Sequence, residues 1–178
     1  MNDLICNQRK IPKEQWRYGF RTSAATGCGW IATYNALRLM DYYAKPEDLI
    51  RYYERQLPLI HGNAGTSIPG PAVFFIQQGF DVKMSAKRAE FDQLVKESDV
   101  CILFYRWRRQ WKMGAHCVTV TYADGKFTGY NTYKTSDGPD HYGESLEDYI
   151  RQHKFYAPFL IAIKDKRSVS EKCDPSGG

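Results

Sequence analysis

The apolar patterning of this 178-residue chain predicts an α+β fold, with helices early and an antiparallel sheet late, in segregated layers rather than alternating βαβ units. Three observations carry that expectation. Residues 28–40 are apolar nearly all round, which marks a buried central helix. Asp124-Gly125 sits between two alternating runs, a strong signal for a two-residue hairpin. Two further runs, "VCILFYRW" and "FYAPFLIAI", are rich in β-branched and aromatic residues and flank that hairpin in sequence.

The elements follow in chain order. Residues 1–22 read as an irregular arm containing Pro12. After the central helix, "KPEDLIRYYERQL" reads as a second helix, with Pro46, Glu47 and Asp48 suited to its first turn. "HGNAGTSIPG" is a Gly-rich loop; without GxxxxGK[ST] it is no phosphate loop. "PAVFFIQQG" is a short helix ending at Gly79. "DVKMS" is a short strand and "KRAEFDQLVKES" a surface helix. Then come the strands, with a short helix, "SLEDYIRQ", before the last one. Residues 1–165 form one expected domain; 166–178 form a flexible polar tail. The tail's terminal Ser-Gly-Gly reads as a disordered end.

The length is enough for a core without disulfides or metal. Five cysteines, an odd number without CxxC spacing, argue against a disulfide framework and against zinc. No signal peptide opens the sequence and no apolar run approaches a membrane span, so a reduced, cytoplasmic setting without a transmembrane segment is expected. The net charge of +5 permits anionic partners without requiring them.

The chemistry centres on "SAATGCGWIATYNAL", residues 23–37. With Thr26 as N-cap, Cys28 falls in the first helical turn, where unpaired N–H groups and the helix dipole favour a thiolate. Gly27 and Gly29 allow close approach of backbone or substrate. Taken alone, Cys28 reads equally well as a structural cysteine at a tight turn. The hairpin supplies partners. With Asp124-Gly125 as the loop, Ala123 pairs with Lys126, Asn131 lies opposite Val118, and His116 opposite Tyr133. His116, Val118 and Asn131 then share one face. His116 and Asn131 become diagonal neighbours across the hairpin, within about 7–8 Å backbone to backbone. An imidazole held by an amide is what a thiol nucleophile needs as general base, later general acid. Cys117 points to the other face, toward the core.

This chain order resembles the papain-like cysteine peptidases: Cys at the start of a central helix, His at a strand start, Asn some fifteen residues on. "GCGWIATYNAL" and "AHCVTVTYADGKFTGYNTY" look most like the compact bacterial C39-like peptidases. The resemblance implies a papain-like fold. It implies Cys28 as nucleophile, His116 as base and acid, Asn131 as the residue orienting the ring, and no cofactor or metal. It also marks a departure: the family carries a Gln about six residues before the Cys, donating to the oxyanion, whereas position 22 here is Thr. Thr22 and the more distant Gln15, if the arm folds back, are the candidates to replace it; a missing donor typically costs about 10²–10³ in rate. The expected activity is cleavage of peptide or amide bonds in a peptide or protein substrate. The alternatives are a catalytically inactive peptide-binding domain, or a thiol acyltransferase or deamidase.

Other features are weaker. "RWRRQWK" mixes Arg, Lys and Trp just before His116; Trp107 and Trp111 are candidate substrate contacts that rim the cleft and would favour acidic or aromatic groups. Its plainer reading is a strand end with rings packed on the sheet, and nucleic acid is not the expected partner. His61, His141 and His153 are spare histidines. "SDGPDHYGES" reads as a solvated turn, since Asp137, Asp140 and His141 match no metal spacing.

Overall fold

The computed structural model describes residues 4–55, 66–132 and 137–166. It is an α+β protein built on a six-stranded antiparallel sheet. The strands are β3 (Asp81–Ser85), β4 (Val100–Arg109), β5 (Lys112–Ala123), β6 (Lys126–Tyr130), β7 (Asp140–Gly143) and β8 (Tyr156–Lys164), in the spatial order β3-β8-β4-β5-β6-β7. A separate two-stranded ribbon, β1 (Arg17–Tyr18) with β2 (Arg21–Thr22), precedes the helices.

The hairpin register is the one the Asp-Gly loop dictates: Ala123 faces Lys126 and Thr119 faces Tyr130. Asp124 and Gly125 both take positive φ, 51° and 78°, as a type I′ turn requires.

The helices are α1 (Ser23–Thr26), α2 (Cys28–Leu39), α3 (Pro46–Arg55), α4 (Gly70–Gln77), α5 (Phe91–Lys96) and α6 (Leu146–Gln152). α2 is the buried helix expected: Trp30, Ile31, Ala32 and Ala36 are fully enclosed. Its buried Thr33 and Asn35 are hydrogen-bonded, whereas Arg38 Nε is buried without a partner among the described residues. Thr33 bonds Tyr53 and the Gly29 carbonyl, and Thr119 of β5 donates to the Ala32 carbonyl, tying helix to sheet.

Segregation into one helical layer is where the expectation falls short. Alternation along β4 sends Ile102 and Phe104 to a core under α2, α3 and α4, and Leu103 and Tyr105 to a second core with α5 and α6. The sheet is therefore covered on both faces. "KRAEFDQLVKES" is correspondingly no simple surface helix: it divides into a 3-10 turn, Arg88–Glu90, and α5, whose Phe91 and Val95 are buried.

Two further segments differ from their sequence reading. "SDGPDHYGES" contributes β7, an edge strand paired with β6, because Tyr142 is buried against Gly129, where no Cβ would fit. The N-terminal arm is not loose. Asn35 clamps Ile5 through both backbone groups at 2.9 Å each, and a 3-10 turn, Gln8–Lys10, is capped by Asn7. The Gly-rich segment up to residue 65 and the tail beyond 166 lie outside the described residues. Among the described residues, no helix is long and apolar enough to cross a membrane.

Candidate active site

Cys28 is the first residue of α2 and is partly exposed. The chain enters not from an N-cap at Thr26 but through the four-residue α1. An N-cap needs non-helical backbone, and Thr26 is itself helical; Thr22 occupies the residue before α1, and Gly27 the residue before α2. Both flanking glycines are sterically required. A Cβ on Gly27 would stand 2.6 Å from the Ser23 carbonyl and the Trp30 indole nitrogen, and one on Gly29 would stand 2.4 Å from Thr66. The close approach they permit is of the protein to itself. Ser23 fixes this corner, its hydroxyl donating to the Trp16 carbonyl and accepting from Trp30 Nε1.

His116 reaches the same place from β5. Its Nε2 lies 2.6 Å from the main-chain oxygen of Asn131. A carbonyl can only accept, so Nε2 carries the proton and Nδ1 is left as the acceptor. The thiol of Cys28 lies near enough to this imidazole for each to shift the other's pKa. The ring edge packs on Tyr105 at 6.0 Å, which limits its rotation.

Asn131 thus holds the ring by its backbone and not by its side-chain amide, the role its resemblance implies. The cause is a φ of 64° at Asn131, which takes it out of the β6 ladder after Tyr130. The amide is turned to Gln8 instead. Asn131 Oδ1 accepts from the Gln8 N–H and Asn131 Nδ2 donates to Gln8 Oε1, both at 2.9 Å, while Gln8 Nε2 donates to the Ala24 carbonyl at 3.2 Å. Gln8 therefore stitches the arm to both the His116 anchor and the entry of the Cys28 helix. Truncating Asn131 to alanine strands two buried Gln8 groups, at about 1–3 kcal/mol each. Urea denaturation of the single and double alanine variants at positions 8 and 131 is expected to give a coupling of about 1 kcal/mol or more; strictly additive losses would contradict the pairing.

Among the described residues, no side-chain hydrogen bond ties either expected oxyanion residue, Gln15 or Thr22, to Cys28. Gln15 closes an exposed turn on Pro12, and Gln8 is the glutamine with which the arm folds back. Thr22 makes no capping hydrogen bond with its side chain.

Cys117, expected as core, is buried on the α2 side of the sheet, yet its thiol also meets Cys28. β6 pairs β5 only over residues 119–123, so the flank of β5 at residues 116–117 is not covered by β6. The start of α2 meets that flank and touches side chains from both faces.

The contact with the Cys117 thiol, followed by the His116 hydrogen bond and charge, holds the Cys28 thiol well below the usual range, against the opposing effect of burial. Burial and Arg9 oppose protonation of His116, but the Cys28 contact outweighs them and raises its pKa. Burial pushes Cys101 up to about 12 and raises Cys6 as well. The arrangement favours a Cys28 thiolate beside a His116 imidazolium.

A cleft of about 350 Å³ opens beside His116, lined by Gln8, Asn131, Tyr105, Trp107, Phe155 and several basic residues. Trp107 forms its wall and covers Gly114, where a Cβ would be 2.6 Å from the ring. Trp111 is 96% exposed at the tip of the β4–β5 turn and does not line it. His153 lines it too, its Nδ1 bonded to the Tyr149 carbonyl, whereas His141 lies on β7 beside Thr128. His61 is outside the described residues. Among the described residues, no group of three or more His, Cys, Asp or Glu could hold a metal.

No family model and no curated protein matches the chain. The site's meaning therefore rests on its geometry. Sequence reasoning missed Gln8, Cys117, Arg9 and His153. Cys117 had one signal, its adjacency to His116 on a strand end; nothing local distinguishes Gln8 from any other polar residue of the arm.

Proposed function

We propose that this protein is a thiol hydrolase of the papain-like, C39-like type that cleaves peptide or amide bonds in a peptide or protein substrate. The observation that carries the reading is the chain of contacts from the Cys28 thiol through His116 to the Asn131 carbonyl. In this mechanism the Cys28 thiolate attacks the substrate carbonyl carbon. The leaving amine takes its proton from His116 Nδ1, and an acyl-thioester remains on Cys28. His116 then removes a proton from water, which attacks the thioester and regenerates the thiol. The Asn131 carbonyl keeps Nε2–H fixed, so Nδ1 faces the sulfur throughout. In this reading the first N–H groups of α2 would stabilise the oxyanion.

One observation favours a second reading, a catalytically silent peptide-binding domain. Gln8 Nε2 is committed to the Ala24 carbonyl, and among the described residues no side-chain hydrogen bond holds Gln15 or Thr22 in the place of the expected donor. A thiol acyltransferase or deamidase would use the same Cys28 and His116 steps on a different acceptor or amide. Incubation with a complex peptide library, followed by mass spectrometry, tests the proposal. New peptide termini that vanish with Cys28→Ala are expected. Binding without cleavage, equal in both proteins, would favour the silent domain.

A further inference from the structure

The β4–β5 hairpin extends the cleft away from His116 in ordered steps. Cross-strand partners on the His116 face are Tyr105 with His116, Trp107 with Gly114, and Arg109 with Lys112. Each line the cleft except Gly114, whose space the Trp107 ring fills. The groove floor therefore runs from an imidazole, over an indole, to a pair of cations. Arg108 and Arg9 add two more along its rim.

No Asp or Glu lines this cleft among the described residues, and none of these four cations has an ion pair there. Arg109 and Lys112 are directly opposite each other, a placement that like charges disfavour. What sets these cations apart is their convergence on one cleft; elsewhere some exposed cations sit beside acidic residues, as Arg51 with Asp48 and Arg151 with Asp148. A groove of convergent cations that leads to the His116 imidazole is built to receive an anion.

Resting on the thiol-hydrolase reading, we infer that the substrate is an acidic peptide. Its carboxylate side chain meets Arg109 and Lys112, and an apolar or aromatic side chain lies over Trp107. Along β5, Lys112 is four residues from His116, about 13–14 Å at strand rise. An extended substrate spans that distance in about four residues, so the acidic residue falls three to five positions from the scissile bond. A peptide is favoured over nucleic acid because the groove ends at His116, the imidazole that interacts with the Cys28 thiol, a pair suited to attack on a carbonyl.

Two measurements on the full chain and on the Arg109→Gln/Lys112→Gln variant test this. The first is hydrolysis of fluorogenic peptides carrying Glu, Ala or Lys at each position up to five from the scissile bond. A Glu-over-Ala advantage in kcat/KM of tenfold or more is expected, falling at least fivefold in the variant and in 0.5 M salt. No advantage, or one unchanged in the variant, would overturn the inference. The second needs no hydrolysis, and so separates failure of the groove from failure of the hydrolase reading. It compares alkylation of Cys28 by iodoacetate, an anion, and by iodoacetamide, a neutral analogue. The iodoacetate-to-iodoacetamide rate ratio should fall at least threefold in the variant; an unchanged ratio would overturn the cationic groove. A single-stranded oligonucleotide that binds more tightly than the Glu peptides at equal salt would overturn the assignment to peptide.

Discussion

Replacing Cys28 by alanine is expected to lower amide hydrolysis on the order of 10⁶-fold, the loss seen when the nucleophile of a His-assisted pair is removed. Substrate binding should change little, because the groove is built by β4, β5 and the arm. The fold should also survive. Cys28 is partly exposed at the first position of α2, and alanine is a good helix residue. The loss should therefore appear in kcat and not as a lowered denaturation midpoint. Turnover that persists in Cys28→Ala would remove the nucleophile from the account. A large drop in stability would show that its role is packing.

Replacing His116 by alanine is expected to have a similar kinetic effect, on the order of 10⁵–10⁶-fold, by a different route. It removes the proton acceptor and the cation that, after the Cys117 contact, favours the Cys28 thiolate. The Cys28 alkylation profile should then move toward the ordinary thiol range, although the remaining Cys117 contact limits the shift. Asn131→Gly provides the informative contrast. Glycine tolerates the positive φ at that position and keeps the main-chain carbonyl that accepts from His116 Nε2. It loses only the bonds to Gln8. Turnover should therefore remain far above that of His116→Ala, with the principal cost in stability. If Asn131→Gly is as inactive as His116→Ala, the side-chain amide, and not the backbone, orients the ring.

That contrast also marks how far local sequence signals reach. The Asp124-Gly125 turn dictates register, so the ladder from Ala123–Lys126 to Thr119–Tyr130 was legible. The nearly unbroken apolar surface of residues 28–40 likewise announced a buried helix. The sequence register continues to Asn131 opposite Val118, whereas the ladder ends at Tyr130; nothing in the pattern of alternation signals a left-handed residue at Asn131. One backbone rotation there exchanged the amide for the carbonyl as the partner of His116. Gln8 and Asn131 are separated by 123 positions, and their pairing is set by tertiary folding of the arm. β7 was missed because its burial depends on Tyr142 finding the space at Gly129, a feature of two strands together. The second helical layer was missed for a similar reason. α5 and α6 are short, and only the alternation of β4 between two cores shows that both sheet faces need cover.

The pKa directions have a defined sign in reactivity. A lowered Cys28 and a raised His116 widen the pH window in which thiolate and imidazolium coexist, toward acid on one side and alkali on the other. An ordinary thiol near pKa 8.5 is about 0.3% ionised at pH 6. The pH dependence of iodoacetamide alkylation, followed cysteine by cysteine by mass spectrometry, reads this pair directly. The account predicts that at pH 6 Cys28 is modified at least tenfold faster than Cys6 or Cys101, and that its rate stays high well below the ordinary thiol range. A Cys28 rate that rises only near pH 8–9, no faster than that of Cys6, would contradict the thiolate–imidazolium pair on which the proposed chemistry depends.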